Sequence, residues 1–303
     1  MPLNDRLNAV GDYSFDRLRA LLGAVEPPPG VTPISLSLGE PQHAPPAFLA
    51  ETIAREAAGW SKYPLVRGTD GARAAIAGWL TRRYGLPEGM VDPATMVIPV
   101  SGTREALFMV ALAAVPERKN GRKPVVLMPN PFYQVYLGAA VTAGAEPVLV
   151  PADRQNGFLP NYAALPDDIL DRTALAYYCS PANPQGAIAP MDTIRQHVEL
   201  ARAHDFLLVS DECYSELYYG DPPTGAAEAC AALGDTAAGA MRNVVAMNSL
   251  SKRSSAPGLR SGFVAGDADL IRRFARLRDY GGAPPPLPLQ AAASALWSDE
   301  EHV

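Results

Sequence analysis

The chain has 303 residues, of which 48% are hydrophobic and 19% charged, and its net charge at pH 7 is -6. This composition is typical of a folded protein with one large domain and part of another, and the acidic balance argues against a nucleic-acid partner. The longest apolar run, residues 106–116, is too short to cross a bilayer, and the charged N-terminus does not resemble a signal peptide, so we expect a cytoplasmic protein without membrane contact that acts on small molecules.

Two proline clusters, 27–29 and 284–286, divide the sequence and are interpreted as linkers or boundaries. Between them, short β-branched runs alternate with helical patterns. Strands are predicted over 96–100, 125–128, 147–150, 174–178, 206–210, 244–247 and 262–265. Helices are predicted over 104–115, 135–143, 192–204 and 267–280, the last two with Asp192 and Asp267 as N-caps, and a further helix begins near Leu287. Continuous apolar strands followed by helices indicate an α/β fold with a mostly parallel, about seven-stranded sheet sandwiched by helices.

Three cysteines occur, and none of them stands in the C-x-x-C spacing of a zinc site or redox motif. The four histidines are scattered along the chain, without an H-E-x-x-H pattern. We therefore expect no metal and no disulfide framework, and we interpret Cys179, Cys213 and Cys230 as small buried residues.

Polar residues follow several of the predicted strands. Ser101-Gly102-Thr103 follows the first strand, Asn183 comes after the fourth, Asp211 ends the fifth, and 249–252 ends the sixth. Ligands of parallel sheets bind at the carboxyl ends of the strands. The sequence therefore predicts that these residues converge on one site.

Lys252 is one of only four lysines and is flanked by Ser249 and Ser251, with Arg260 a few residues further on. An amine beside hydroxyls and a guanidinium suits a phosphorylated aldehyde, because the amine can form a Schiff base while the other groups hold the phosphate. Pyridoxal phosphate is the commonest cofactor of that kind. A solvated surface lysine is the alternative interpretation of the same residue.

The other strand-end residues have matching roles and plain alternatives. Gly102 and Thr103 can hold a phosphate at a helix N-terminus, or belong to an ordinary helix cap. A buried Asp211 can keep a pyridine nitrogen protonated, or serve as a cap or turn residue.

Aromatic residues supply further candidates. Tyr214 and Asn183 can reach the phenolic oxygen of the cofactor, and the Tyr133 ring can stack on it. Core packing is an equal alternative for Tyr133 and is the favoured interpretation of Phe132 and Tyr136.

The order and spacing of several motifs resemble those of the fold-type I, class I/II aminotransferases. The matching segments are Ser37-Leu-Gly-Glu-Pro41, Lys62-Tyr63-Pro64 with Gly68, Ser101-Gly-Thr-Arg104, Asn183-Pro-Gln-Gly186, Asp211-Glu-Cys-Tyr214 and Ser249-x-Ser-Lys252 with Arg260. Within that family, segments 39–43, 251–262 and 297–303 are most similar to the bacterial succinyldiaminopimelate aminotransferases, which act in lysine biosynthesis.

The resemblance implies a role for each residue. It makes Lys252 the Schiff-base lysine, Asp211 the partner of the ring nitrogen, and Tyr133 the stacking aromatic. It assigns Asn183 and Tyr214 to the phenolic oxygen, and Gly102, Thr103, Ser249 and Arg260 to the phosphate. In a homodimer with shared active sites, Tyr63 would reach the phosphate of the neighbouring subunit, and the Gly39 amide would contact the substrate carboxylate.

Two departures from the family pattern stand out. Gln185 replaces the usual Thr of the Asn-Pro-Thr-Gly turn. Family members continue beyond the position of Val303 for about another small domain, which includes the arginine that binds the substrate α-carboxylate, so we interpret the chain as truncated. The expected organisation is an N-terminal segment (1–45), a large cofactor-binding domain (46–285) and the start of an incomplete small α/β domain (286–303), with apolar surface exposed where the rest would pack.

The predicted activity is transfer of an amino group from an amino acid, N-succinyl-LL-2,6-diaminopimelate or a related diamino acid, to 2-oxoglutarate. The same fold and cofactor also serve C–S lyases and decarboxylases. A non-catalytic cofactor-binding domain is a third interpretation, and without the missing region the chain itself could be inactive. A nicotinamide-binding protein is disfavoured, because no G-x-G-x-x-G follows the first strand.

Overall fold

A single seven-stranded sheet forms the centre of the protein. A computed structural model describes residues 5–11, 13–32, 34, 36, 38–237 and 239–303. The strands run in the order β1-β7-β6-β5-β4-β2-β3 across the sheet. Their bounds are β1 Val97–Val100, β2 Val125–Asn130, β3 Glu146–Pro151, β4 Thr173–Cys179, β5 Leu207–Asp211, β6 Val244–Ser249 and β7 Gly262–Gly266. All seven predicted strands are present, with ends within about two residues of the prediction.

The sheet is parallel except at β7, which pairs antiparallel with both β1 and β6. The neighbours β6, β5, β4, β2 and β3 pair in parallel. Since β1 runs against β7, six of the strands point the same way. Their carboxyl ends therefore lie along one edge of the sheet, which confirms the predicted mostly parallel α/β class and places the strand-end residues together.

Helices cover both faces of the sheet. They are α1 Ser14–Leu22, α2 Phe48–Arg55, α3 Asp70–Tyr84, α4 Thr103–Ala114, α5 Val135–Thr142, α6 Asp167–Arg172, α7 Met191–Ala203, α8 Ala226–Ala232, α9 Leu250–Arg253, α10 Ala268–Gly281 and α11 Leu287–Ser298. Short 3-10 turns span Asp5–Ala9, Ala57–Ser61, Arg154–Asn156, Tyr162–Ala164 and Pro257–Leu259. Successive β5 residues alternate between two cores, with Leu208 in one and Val209 in the other, as the two-residue period of a strand requires.

Of the two predicted aspartate caps, one is correct. The Asp267 carboxylate accepts hydrogen bonds from the amides of Asp269 and Leu270 at the start of α10. The prediction at Asp192 is wrong, because α7 begins one residue earlier, at Met191, directly after Pro190. Pro190 fixes its own φ and has no amide to leave unpaired, so it can precede the helix without a side-chain cap.

The last helix, α11, packs onto the helices near the start of the chain. It contacts α2 and α3, and Trp297 at its end lies 4.9 Å from Trp79 of α3 and 5.1 Å from Phe263 of β7, measured between ring centroids. α3 itself is a 15-residue helix that the sequence patterns did not predict; it is capped by Thr69 and ended by the left-handed Gly85. None of the described helices is long and apolar enough to cross a membrane.

Candidate functional site

A cavity of about 590 Å³ opens at the carboxyl edge of the sheet. Nine of the eleven predicted site residues line it: Gly39, Thr103, Tyr133, Asn183, Asp211, Tyr214, Ser249, Lys252 and Arg260. Gly102 lies directly beside it, against Arg260. The fold therefore brings together residues that are far apart along the chain, such as Gly39 and Lys252, which are separated by 213 positions.

Lys252 projects into this cavity from α9, the short helix that follows β6. The Ser249 hydroxyl caps α9 by accepting the Ser251 amide at 3.1 Å. The Lys252 ammonium donates to the Gly39 carbonyl and lies 5.9 Å from the centroid of the Tyr214 ring. Burial lowers the pKa of Lys252, and the nearby Glu40 carboxylate opposes that effect only in part. A larger share of the amine is thus neutral and nucleophilic than for a surface lysine.

Asp211 lies at the end of β5 and is only 5% exposed. Its carboxylate accepts a 2.6 Å hydrogen bond from the Tyr136 hydroxyl and a 3.3 Å bond from the Cys213 amide. Burial raises the pKa of Asp211, and these two hydrogen bonds oppose the rise. Among the described residues no cation pairs with this carboxylate, so a buried acceptor faces the cavity ready for a cationic ligand group.

Gly102 and Arg260 lie against each other at the cavity. Gly102 is the N-cap of α4 and has a φ of +93°. A Cβ at this position would collide with the Arg260 guanidinium, which lies over the first turn of α4 and donates to the carbonyls of Pro257 (2.9 Å) and Ser101 (3.4 Å). The unpaired amides of a helix N-terminus and a guanidinium together suit a phosphate.

Residues 101–103 do not form an ordinary helix cap, in which a Ser or Thr hydroxyl accepts an amide of the first turn. No side chain caps α4. The Ser101 hydroxyl donates to the Ala283 carbonyl at 2.8 Å, and the Thr103 hydroxyl lies 3.0 Å from the Cys213 thiol. Thr103 is the first residue of the helix and lines the cavity.

Tyr133 and Arg104 form another part of the cavity wall. The Arg104 Nε donates to the Tyr133 hydroxyl at 2.8 Å. The Tyr133 ring meets the Tyr136 ring edge to face, at 5.8 Å and 89°. This contact holds the flat ring upright at the cavity wall, where a planar ligand can stack on it.

Three residues near the site had no site role predicted from the sequence. Tyr136, interpreted as a core residue, is fully buried and also binds Asp211. Cys213 contacts Thr103, and Arg104 holds Tyr133. The available signal was the three-residue spacing of Tyr133 and Tyr136, which lie in the turn that leads into α5, where the Tyr136 amide donates to the Tyr133 carbonyl at 2.9 Å.

Of the remaining predicted residues, Tyr63 lies apart from the cavity. Tyr63 is 101% exposed and does not line it. Ser37 of the first motif lies outside the described residues. Gly39 presents its carbonyl to Lys252. No cluster of three or more potential metal ligands is found in the described part of the chain.

The residues present fit pyridoxal phosphate in chemistry and arrangement. The cavity has an amine with a lowered pKa, a buried carboxylate without a cationic partner among the described residues, and a glycine cradle under a guanidinium. These three groups match, in turn, the aldehyde, the pyridine nitrogen and the phosphate of the cofactor.

Comparison with known sequences also indicates an aminotransferase. The profile of the family described as aminotransferase class I and II matches residues 31–303. The chain is 31% identical over 306 residues to the LL-diaminopimelate aminotransferase of Dehalococcoides mccartyi, covering 99% of this chain and 74% of that protein. It is 31% identical to the LL-diaminopimelate aminotransferase of Moorella thermoacetica, covering 90% of this chain and 66% of that one. The chain thus spans roughly two thirds to three quarters of the length of these relatives.

Solved structures of aminotransferases have the same fold as this chain. An aminotransferase from Neisseria meningitidis superposes with a TM-score of 0.91 at 37% identity, covering 99% of this chain and 75% of that one. An aminotransferase from Helicobacter pylori superposes with a TM-score of 0.86 at 36% identity, covering 96% and 74%.

Proposed function

Because the chain belongs to the class I and II aminotransferases, which depend on pyridoxal phosphate, we propose that it carries the catalytic lysine and the cofactor site of a transaminase. One observation supports this most directly: Lys252, Asp211 and Arg260 line a single cavity although they come from three different segments of the chain.

When bound, pyridoxal phosphate supplies an electron sink for the pair released as a bond at the substrate Cα breaks. In the proposed reaction, the Lys252 amine would hold the cofactor through its aldehyde and, once the substrate amine has displaced it, would act as the general base that takes the Cα proton. A positioned base of this kind contributes about 10²- to 10⁴-fold in rate. Asp211 stabilises positive charge at the ring nitrogen, and Asn183 and Tyr214 are proposed to hold the phenolic oxygen.

The remaining residues are proposed to orient the cofactor. Gly102, Thr103, Ser249 and Arg260 bind the phosphate, and Tyr133 stacks on the ring. The Gly39 segment lies over Lys252 and would exclude water from the amine.

The proposed amino donor is a diaminopimelate. The relatives named above act, by their names, on LL-diaminopimelate, whereas the motifs of this chain are most similar to those of succinyldiaminopimelate aminotransferases. We therefore propose N-succinyl-LL-2,6-diaminopimelate or a related diamino acid as donor, 2-oxoglutarate as acceptor, and lysine biosynthesis in the cytoplasm as the setting.

We further propose a homodimer with shared sites. Tyr63 is fully exposed and lies outside the cavity of its own chain, as expected if its hydroxyl serves the neighbouring subunit. We also propose that the chain is divided into an N-terminal segment (1–45), a large cofactor-binding domain (46–285) and the start of a small α/β domain (286–303).

Lys252→Ala tests the lysine assignment, with Lys123→Ala as control because Lys123 is exposed on the surface. In the protein incubated with pyridoxal phosphate, borohydride should attach the cofactor at residue 252, and peptide mapping should find no adduct there in Lys252→Ala. Turnover should be lost in Lys252→Ala and kept in Lys123→Ala. An adduct on another lysine, or near-normal turnover in Lys252→Ala, would refute the proposal.

A donor screen with 2-oxoglutarate tests the reaction type. N-succinyl-diaminopimelate, LL-diaminopimelate, N-acetylornithine, aspartate and aromatic amino acids are compared by the glutamate formed. Release of thiol or carbon dioxide without glutamate would favour a lyase or a decarboxylase instead. Failure of every donor in a protein that binds the cofactor would point to a non-catalytic domain.

A further inference from the structure

Lys252 and Arg253 are consecutive residues of α9, and their side chains lie in opposite surroundings. The Lys252 amine lines the cavity, whereas the Arg253 side chain is completely buried on the other side. Successive side chains of a helix differ in direction by about 100°, so one short helix can present an amine to a ligand and a guanidinium to the core.

The buried guanidinium of Arg253 is bound to the end of α11. Its Nη1 donates to the Leu296 carbonyl at 2.7 Å, and its Nη2 donates to the Asp299 carbonyl at 2.6 Å. The last carbonyls of a helix have no helical partners and carry the negative end of the dipole. Arg253 therefore caps α11 from a different segment of the chain.

Aromatic rings and one carboxylate complete the surroundings of Arg253. The guanidinium carbon lies 5.8 Å from the centroid of the Trp79 ring and 5.5 Å from that of Trp297. Nη2 is 3.2 Å from a Glu300 carboxylate oxygen. Burial lowers the pKa of Arg253, and Glu300 opposes this. A buried cation with so many partners in fixed positions is costly to displace.

α9 depends on tertiary contacts for its position. It has only four residues, too few for a helix to be stable by itself. Ser249 caps its start, and the Ser254 amide bonds the Leu250 carbonyl at its end. The Leu250 side chain is fully buried in the core, and the Leu250 amide donates to the Ser261 carbonyl at 3.1 Å. The helix is therefore held at its N-terminus by Ser249 and Leu250, and at its C-terminus by the buried guanidinium of Arg253.

We propose that Arg253 is a positioning residue for Lys252, which couples the orientation of the reactive amine to the C-terminal end of α11. The inference rests on the proposed function, because it assigns a role to the amine of Lys252. Movement of residues 296–300 is transmitted to the amine through the guanidinium, and loss of the guanidinium releases α9 without removing a group that contacts the cofactor.

Capture of the cofactor by the cofactor-free chain tests this coupling. Pyridoxal phosphate needs the Lys252 amine for its covalent attachment, whereas pyridoxamine phosphate lacks the aldehyde and reports only the noncovalent contacts. Arg253→Met should slow attachment at Lys252 about 10- to 100-fold, as expected for a misplaced reacting group, and change the dissociation constant for pyridoxamine phosphate by no more than about twofold. The attachment rate is read by borohydride trapping at timed intervals and peptide mapping.

Two further variants control for general loss of structure. Arg202→Met removes a different arginine, which is mostly buried and pairs with Asp235 at 2.6 Å outside the cavity, and should leave attachment unchanged. Arg253→Lys keeps the charge but offers fewer donors, so its rate should fall between those of wild type and Arg253→Met. If Arg253→Met does not fold, Arg253→Lys decides the question.

The two proposals fail in different ways. If wild type attaches no pyridoxal phosphate at Lys252, the proposed function is wrong. If wild type attaches it and the folded Arg253 variants do so at the same rate, only the positioning role is wrong. Equal weakening of attachment and of pyridoxamine phosphate binding would also overturn it, since that result describes a general structural residue.

Discussion

The Tyr136 hydroxyl donates a 2.6 Å hydrogen bond to the Asp211 carboxylate, between residues that are 75 positions apart in the sequence. Tyr136 is held in place by the Tyr177 ring, which stacks on it at 4.3 Å and 9°. Burial raises the pKa of Asp211, and of the contacts that lower this pKa the hydrogen bond from Tyr136 has the largest effect. Tyr136 therefore helps keep charged the carboxylate that the proposed function assigns to the ring nitrogen.

Tyr136→Phe should weaken cofactor binding while leaving the fold intact. The phenyl ring can still stack on Tyr177, but Asp211 loses a hydrogen bond. A hydrogen bond to a charged group is worth about 1.5 to 3 kcal/mol, so the dissociation constant for pyridoxal phosphate should rise about tenfold or more. Titration with the cofactor measures this. The control is Tyr162→Phe, which loses a buried hydrogen bond to the Tyr177 carbonyl outside the cavity; an equal effect in both variants would contradict the prediction.

Asp211→Asn should stabilise the cofactor-free chain and weaken cofactor binding. Burial raises the pKa of Asp211 in the folded protein, so ionisation opposes folding once the pH exceeds the unfolded value of about 4. At pH 7 the Asn variant should unfold at a higher temperature, because its free energy of unfolding should be larger by about 1 kcal/mol.

The pH dependence of this added stability tests whether the charge of Asp211 is its cause. Below about pH 4 the carboxyl group is protonated in both the folded and the unfolded chain, so the advantage of the variant should disappear there. Thermal unfolding at several pH values measures it, with the exposed Asp221→Asn as control. A gain that is independent of pH would show that charge is not its cause.

Gly102→Ala should damage the proposed phosphate site at Gly102 and Arg260. The added Cβ would meet the Arg260 guanidinium, and the φ of +93° is unfavourable for alanine. If the free variant relaxes, it must return to this strained backbone to bind the phosphate, at a cost of about 1 to 3 kcal/mol, so affinity for pyridoxal phosphate should fall about tenfold or more. Gly71→Ala is the matched control, because a Cβ at Gly71 meets no atom within 4 Å. Unchanged affinity in Gly102→Ala would remove Gly102 from the phosphate site.

Mixing two inactive variants should restore activity if sites are shared between subunits. A dimer of one Lys252→Ala chain and one Tyr63→Ala chain has one site with both residues intact. Random reassociation yields half mixed dimers, so about a quarter of wild-type activity should return. Activity is measured after joint unfolding and refolding of the two variants. Absence of any recovery, with dimers present by light scattering, would place Tyr63 outside the site.

The sequence predicted the sheet well because strands buried on both faces need continuous apolar runs. Val244 to Met247 is such a run and lies in β6 as expected. α3 was missed, because its alanines and glycines carry little periodic signal and its burial comes from packing against α11. Asp192 was misassigned because Pro190, two residues earlier, moved the start of α7.

By itself, the sequence determined which chemical groups stand at the ends of the strands, among them the amine of Lys252 and the carboxylate of Asp211. Tertiary structure alone decided which groups meet, such as Tyr136 with Asp211 and Arg253 with the end of α11, 46 residues away. The physical reason is that residue periodicity encodes local burial, whereas contacts between distant residues follow from the order of strands in the sheet. Burial at those contacts then shifts the pKa values of Lys252 and Asp211, which no local pattern contains.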